Sequence, residues 1–239
     1  MTAILETRAL TMRFGGVIAV NAVDFSVGEG ELRCVIGPNG AGKSTFFKCL
    51  TGQLRPTAGE IRFRGRTISG LDSHRIARLG IGIKTQVPNV FDSMTVADNV
   101  LAATARVSTT RAVARRRAEA ALDRVGVTAL AERKVGQLAH GQRQLVELAM
   151  VIAPDPDLIL LDEPAAGMTD QEVTGLADLV VELAKAHAVV LVEHDMQFIR
   201  RIARTVTVFH QGAILAEGPV EQILDDARVR DVYLGKHAA

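Results

Sequence analysis

The chain has 239 residues, 48% of them hydrophobic and 23% charged, with 28 basic side chains against 27 acidic ones and a net charge of +1. That length and apolar content suit one large or two small folded domains and exclude global disorder. The near-zero charge excludes the bulk basic excess that a nucleic-acid partner normally requires. No run of about 18 uninterrupted apolar residues occurs, and Met1 to Arg13 lacks a basic-then-apolar leader pattern. The expectation is a chain that neither crosses a membrane nor is exported. Cys34 and Cys49 have no metal-ligand spacing and fit a reducing cytosol.

From Leu5 to Ile36, short alternating stretches (Leu10 to Phe14, Val17 to Val20, Val23 to Val27) are divided by Gly15-Gly16 and Gly28-Glu29-Gly30. This predicts an N-terminal region of strands and turns. The apolar run Leu32 to Ile36 predicts a strand and Ser44 to Leu50 a helix. Between them, Gly37-Pro38-Asn39-Gly40-Ala41-Gly42-Lys43-Ser44-Thr45 has the spacing and the strand-loop-helix setting of a phosphate loop. Glycines let successive N–H groups approach phosphate oxygens, and the following helix adds unpaired donors and its positive dipole end. Lys43 is expected to place a point charge on the β and γ phosphates of a nucleoside triphosphate, and the Ser44 hydroxyl to ligate Mg²⁺.

Ile61 to Arg64 alternates as a further strand. From about Val87 to Met150 the composition shifts to Ala, Arg and Leu at helical spacing, as in Ala112 to Val125 and Leu138 to Met150, predicting a helical insert. Its arginines, among them Arg106 and Arg115-Arg116-Arg117, read as a solvated face, with anionic lipid headgroups as the alternative. From Asp157 onward, solid apolar runs (Leu158 to Leu161, Ala188 to Val192) alternate with amphipathic helices such as Val173 to Ala184, the pattern of a parallel sheet buried on both faces. Val206 to Phe209 and Ile214 to Ala216 read as a hairpin turned near Gln211-Gly212, followed by a terminal helix from about Val220.

Two carboxylates, Asp162 and Glu163, emerge where the run Leu158 to Leu161 ends, the place where open α/β sheets hold ligands. Asp162 is expected to hold Mg²⁺ through water, and Glu163 to polarise the attacking water as general base. His194, just past Ala188 to Val192, is placed to donate to the γ phosphate or to hold Glu163. A purely structural histidine is the competing reading.

With these residues in view, the sequence resembles the ATP-binding subunit of ABC transporters over almost its whole length. Leu138-Ala139-His140-Gly141-Gln142 resembles the signature that separates this family from other P-loop ATPases. Gln86 resembles the glutamine that senses Mg²⁺ and water and couples them to the membrane partner. Ala166-Gly167-Met168-Thr169-Asp170 resembles the D-loop, His194 the switch histidine, and Phe14 the aromatic that stacks on adenine, with a buried core phenylalanine as its alternative.

The resemblance implies one ABC ATPase domain over 1–239: an α/β P-loop fold with a mostly parallel sheet, an N-terminal antiparallel β subdomain and a helical subdomain insert. Residues 1–86 and 151–239 would form the nucleotide-binding core and 87–150 the helical subdomain. ATP and Mg²⁺ are the implied cofactors. Phe14, Gly37 to Thr45, Gln86, Ala139, His140, Gly141, Gln142, Asp170 and His194 are implied at the nucleotide, with Ser44, Gln86 and Asp162 at the metal. Glu163, His194, Gln86 and Lys43 form the implied catalytic set. The implied partners are two membrane-spanning permease subunits, a second ATP-binding subunit, like or unlike, in a head-to-tail dimer, and an external binding protein acting indirectly. No nucleic acid is expected. The implied place is the inner face of the cell membrane.

Two departures stand out. Ala139 replaces the commoner serine and His140 a glycine, so one hydrogen bond to the γ phosphate, on the order of 1.5 to 3 kcal/mol, is expected to be missing. Thr85 stands where an aromatic is frequent. The combination of His140-Gly141-Gln142, Gly167-Met168-Thr169-Asp170, Val192 to Met196 and Val232-Tyr233-Leu234-Gly235 is most similar to importers of the branched-chain amino acid and urea class, with the urea branch favoured. Two other classes compete. A soluble ABC-type ATPase acting on nucleic acid or the ribosome is disfavoured by the single module and modest insert. A P-loop kinase or GTPase is disfavoured by Glu163 directly after Asp162, which favours water as nucleophile.

Overall fold

The computed structural model describes residues 3–86, 89–105 and 107–234; Val87, Arg106 and Gly235, named above, lie outside the described residues. The chain opens with two twelve-residue strands, β1 (Ala3–Phe14) and β2 (Val17–Gly28), paired antiparallel. The shorter stretches predicted there are parts of this one hairpin. Ala9 and Ala22 adopt left-handed backbone (φ 44° and 46°), and the register slips between Thr7 and Leu10. Such bulges interrupt the alternation on which a strand is recognised. The Asp24 carboxylate accepts from the Ala9 N–H at 2.7 Å and holds the bulge.

β3 (Leu32–Ile36) leads into α1 (Lys43–Leu50), then β4 (Ala58–Phe63), β5 (Arg66–Thr67), α2 (Ser73–Arg78) and β6 (Ile81–Lys84). The helical region holds α3 (Val96–Thr104), α4 (Arg111–Arg124) and α5 (His140–Ile152). The chain then alternates through β7 (Leu158–Asp162), α6 (Asp170–Leu183), β8 (Ala188–Val192) and α7 (Met196–Ile202). It ends with the hairpin β9 (Thr205–His210) and β10 (Ala213–Pro219), then α8 (Val220–Asp225) and α9 (Ala227–Leu234). The single terminal helix predicted from Val220 is broken at Asp226, whose carboxylate accepts from the Arg228 N–H at 2.8 Å and starts α9.

One sheet has the order β2-β1-β4-β5 and is antiparallel; the other has the order β10-β9-β3-β8-β7-β6. Within the second, β9, β3, β8, β7 and β6 run parallel and β10 pairs antiparallel on the edge. The expected α/β class, mostly parallel sheet and N-terminal antiparallel sheet are therefore present.

β7 shows why its apolar run is unbroken. Ile159 and Leu161 enter the core shared with α5 and α6, whereas Leu158 and Leu160 enter the core shared with α1 and the antiparallel sheet. A strand buried on both faces has no polar side to show. Its carboxylates can appear only where it ends.

The helical region is fixed at its edges by hydrogen bonds. Thr95 caps α3, accepting from Asp98 N–H at 3.1 Å, and Thr110 caps α4, accepting from Val113 N–H at 3.3 Å. Several of its arginines are engaged within the chain: Arg115 with Glu119 (2.8 Å), Arg117 with the Pro154 carbonyl (2.9 Å) and Arg143 with Asp92 (2.7 Å).

Candidate nucleotide site

The loop after β3 is shaped by backbone that only glycine accepts. Gly37 has φ +147°, and a Cβ there would stand 2.2 Å from the Phe209 carbonyl oxygen. Gly42 has φ +101°, and a Cβ there would stand 2.3 Å from the Ala19 carbonyl oxygen. The loop is thus wedged between β9 and the start of β2, and Gly212 N–H donates to the Ala41 carbonyl at 2.9 Å to close the third side. α1 begins with no side-chain cap, which leaves its first N–H groups directed into the loop.

Lys43 folds over this cradle. Its ammonium donates to the Gly37 carbonyl at 2.6 Å and the Pro38 carbonyl at 3.0 Å, and the side chain is buried. Burial pulls its pKa below the ordinary lysine range, opposed by the nearby Glu163 and Asp162. Ser44 is exposed and Thr45 half-buried at the head of α1.

Asp162 and Glu163 differ although adjacent. Asp162 is buried, and that burial, followed by the charge of Glu163, raises its pKa to about 6, against the pull of Lys48 and Lys84. Glu163 turns away from the strand with φ +46°, its N–H donating to the Val192 carbonyl at 2.9 Å. For a non-glycine residue this left-handed backbone is strained, and β8 holds it there. The Gln86 amide donates to one Glu163 oxygen at 3.2 Å, and His194 Nδ1 stands 3.5 Å from the other. The three side chains come from the ends of β6, β7 and β8 and meet at one point.

Behind them lies Glu193, to which the sequence assigns no role beyond its place in the pattern Val192 to Met196. Its buried carboxylate accepts from Ala165 N–H at 3.1 Å and from His194 N–H at 3.0 Å, tying the segment after Glu163 to the one bearing His194. A run of apolar residues ending in an acid gives no sign of this, because both partners are backbone groups.

Ala139, His140, Gly141 and Gln142 assemble elsewhere. Gln142 reaches back to accept from the Ala139 N–H at 3.1 Å, while Ala139 itself offers no cap. The His140 ring meets the Ala166 carbonyl at 3.2 Å, and a Cβ on Gly141 would stand 2.1 Å from a Glu172 carboxylate oxygen. The signature thus packs against 166–172, with Asp170 exposed at the start of α6 under its Thr169 cap. Among the described residues no hydrogen bond joins Ala139 to Gln142 with Gly37 to Thr45.

Phe14 is 47% exposed at the tip of the β1–β2 hairpin, so the alternative of a buried core phenylalanine does not hold. Tyr233 of α9 was read only as part of a terminal pattern. Its phenol, 38% exposed, is pushed up to about 12 by partial desolvation, opposed by the nearby Gly37 backbone. Cys34 and Cys49 are buried free thiols; burial drives both pKa values up, that of Cys49 to about 11.

Comparison with known proteins agrees with this geometry. Residues 20–166 match the family model described as ABC transporter, and residues 213–239 match that of the branched-chain amino acid ATP-binding cassette transporter. The chain is 42% identical to the high-affinity branched-chain amino acid transport ATP-binding protein BraF of Pseudomonas aeruginosa, over 98% of each chain. It is 37% identical to LivG of Escherichia coli, described in the same terms, again over 98% of each. Among solved structures it superposes on the ADP conformation of MJ1267, an ATP-binding cassette of an ABC transporter, with a TM-score of 0.88 and 28% identity over 99% of this chain and 100% of that one. The dimeric bacterial ABC transporter cassette MJ0796 gives 0.81 and 25% identity over 90% of this chain and 98% of that one. No helix among the described residues is long and apolar enough to cross a membrane. The chain belongs to the ATP-binding subunits of ABC transporters, and it is an ATPase.

Proposed function

We propose that this ATPase powers an importer of branched-chain amino acids, with Glu163 as the general base and the signature of a second subunit completing each site. The observation that carries the site assignment is the convergence on Glu163 of Gln86 and His194 beside a lysine-lined phosphate loop. Each neighbour approaches a different carboxylate oxygen, which fixes the orientation of Glu163, and its charge acts on Lys43 of the loop. The γ phosphate would lie at the mouth of the loop, with the attacking water within reach of a positioned base. Lys43 supplies positive charge to the phosphates. His194 holds Glu163 and the γ phosphate in mutual position, and Phe14 offers an exposed ring for the adenine.

The residues that would hold Mg²⁺ are Ser44 through its hydroxyl, Gln86 through its amide oxygen and Asp162 through its carboxylate, oxygen donors of the kind that suit this cation. Burial opposes ionisation of the Asp162 carboxyl, and a cation beside it would favour the charged form. Among the described residues no cluster of His, Cys, Asp and Glu could hold a metal by itself, so the cation is expected to arrive with the nucleotide phosphates. When bound, Mg²⁺ neutralises charge between the β and γ phosphates.

The start of α5 lacks a side-chain cap, and its signature residues lean on the loop after Glu163. This supports a head-to-tail dimer in which these donors meet the γ phosphate of the opposite subunit. The division into a core (1–86 and 151–239) and a helical subdomain (87–150) is part of the same proposal. Phe91, 57% exposed and just beyond Gln86, is held by Asn99, which accepts from its N–H at 2.8 Å and donates to its carbonyl at 3.1 Å. A fixed apolar knob beside Gln86 is a suitable anchor for a permease subunit on the cytoplasmic side of the membrane. The external binding protein would act only through those subunits.

For cargo, urea stood ahead in the sequence reading. The match over 213–239 and the descriptions of BraF and LivG support branched-chain amino acids instead, and the proposal follows them. The test is ATPase activity of the chain assembled with membrane subunits of a branched-chain amino acid importer. Binding protein loaded with leucine should stimulate turnover several-fold and urea should not. Stimulation by urea alone would overturn the cargo assignment.

A further inference from the structure

β6 and α5 touch at two rungs. At the first, a Cβ on Gly82 would stand 2.9 Å from Val151 Cγ1 and 3.1 Å from the Val151 carbonyl oxygen, so helix and strand are in backbone contact. Two residues along the strand and four back along the helix, Lys84 Nζ stands 3.2 Å from Glu147 Oε2. Two strand residues cover about 6.7 Å and four helical residues about 6 Å, so the rungs stay in step. Lys84 is 1% exposed and Glu147 3%.

Each partner has a second connection. Glu147 Oε1 accepts from the Asn89 N–H at 3.0 Å, just beyond Gln86. Lys84 pairs in register with Leu161, next to Asp162, and its charge acts on the Asp162 carboxyl. The pair therefore joins the helix that begins with the signature to the strand that leads to Gln86 and flanks Asp162.

Stability does not account for it. A buried ion pair adds little over two apolar side chains of the same volume, because both charges must leave water. Neither Lys84 Nζ nor Glu147 Oε2 has a well-aligned hydrogen-bond partner among the described residues. Register is the best-attested use of such buried charge.

We propose that Lys84 and Glu147 are positioning residues for ATP hydrolysis, locking α5 to β6 so that Gln86, Asp162 and the signature move as one unit. This rests on the site reading given above. It adds two residues that touch neither the nucleotide nor the reacting water.

The experiment uses the full chain with Lys84→Met, Glu147→Leu, the double variant, Lys84→Arg and, as control, Glu163→Gln. Melting temperature, ATP dissociation constant, KM and kcat are measured for each. Each single apolar variant should melt below wild type, because it leaves one buried charge alone. The double variant should melt at or above wild type and bind ATP within about threefold of it, with kcat at least tenfold lower at unchanged KM. Lys84→Arg should keep kcat within about threefold. A double variant that is stable and hydrolyses at the wild-type rate would reduce the pair to packing and overturn the proposal, as would a parallel loss of melting temperature, affinity and kcat. If the double variant does not fold, Glu147→Gln replaces it, keeping an acceptor for Asn89. It should lower kcat several-fold at unchanged ATP affinity, and a wild-type kcat would overturn the proposal. Glu163→Gln separates the two readings: if it hydrolyses as fast as wild type, the site assignment fails, whatever the pair does.

Discussion

The first turn of α1 and the first turn of α5 are both helix starts without a side-chain cap, yet they are built differently. Around α1, glycines in left-handed or near-extended backbone are wedged against the Phe209 and Ala19 carbonyls, and Lys43, Asp162 and Glu163 bring the charge. Around α5, Ala139 to Gln142 bring no carboxylate or lysine and lean on 166–172 through His140 and Gly141. The first arrangement has the fixed backbone and charge of an anion cradle. The second follows the loop beyond Glu163, so it is suited to respond to what the first has bound. The contrast fits the proposed site, in which the first half binds nucleotide and a second subunit supplies the closing half.

The strongest way to break that division acts on the chemistry alone. Glu163→Gln keeps the cradle and removes the base, so kcat should fall about 10³-fold while ATP affinity stays near wild type; steady-state phosphate release with a nucleotide-binding assay checks both. Next, Lys43→Ala removes the cradle's charge. It should cost about 3 kcal/mol, roughly 100-fold in ATP affinity, read by titration with a fluorescent ATP analogue.

Asp162 tests the burial side of the argument through pH. Its pKa is raised from 3.8 to about 6, so the folded state holds the proton more tightly than the unfolded chain. This group therefore favours folding below pH about 4, loses that contribution as pH rises through about 6, and at pH 8 carries the whole penalty, up to about 3 kcal/mol. Asp162→Asn never bears the charge. Its melting advantage over nucleotide-free wild type should be full at pH 8 and vanish toward pH 4; an advantage that does not change with pH would contradict the assignment.

The smallest effect sharpens the other half. Ala139→Ser restores a hydroxyl at the start of α5, worth on the order of 1.5 to 3 kcal/mol as a phosphate donor. ATP-driven dimerisation in a sedimentation titration should tighten about tenfold or more, with single-subunit ATP affinity unaltered.

What the sequence disclosed follows the same contrast. Gly37, Gly42, Lys43 and the acids after β7 were legible because local backbone geometry and ligand chemistry demand those residue types at those places. Strands buried on both faces were legible as solid apolar runs. The N-terminal hairpin was read as fragments because the bulges at Ala9 and Ala22 break its period. β6, with a glycine and a lysine in its short length, carried no strand pattern, and α2 and α3 were too short for their period to register. Nothing in the sequence marks Lys84 and Glu147, since only the packing of α5 on β6 buries them together. Glu193 and Tyr233 stand near backbone groups distant in sequence, and no spacing reveals that.

The direct test of a divided site is the mass of Glu163→Gln, full length, by analytical ultracentrifugation with and without MgATP. The account predicts a monomer without nucleotide and, with MgATP, a dimer retaining two ATP per pair. A monomer that binds ATP fully and stays monomeric at concentrations well above its ATP dissociation constant would contradict it.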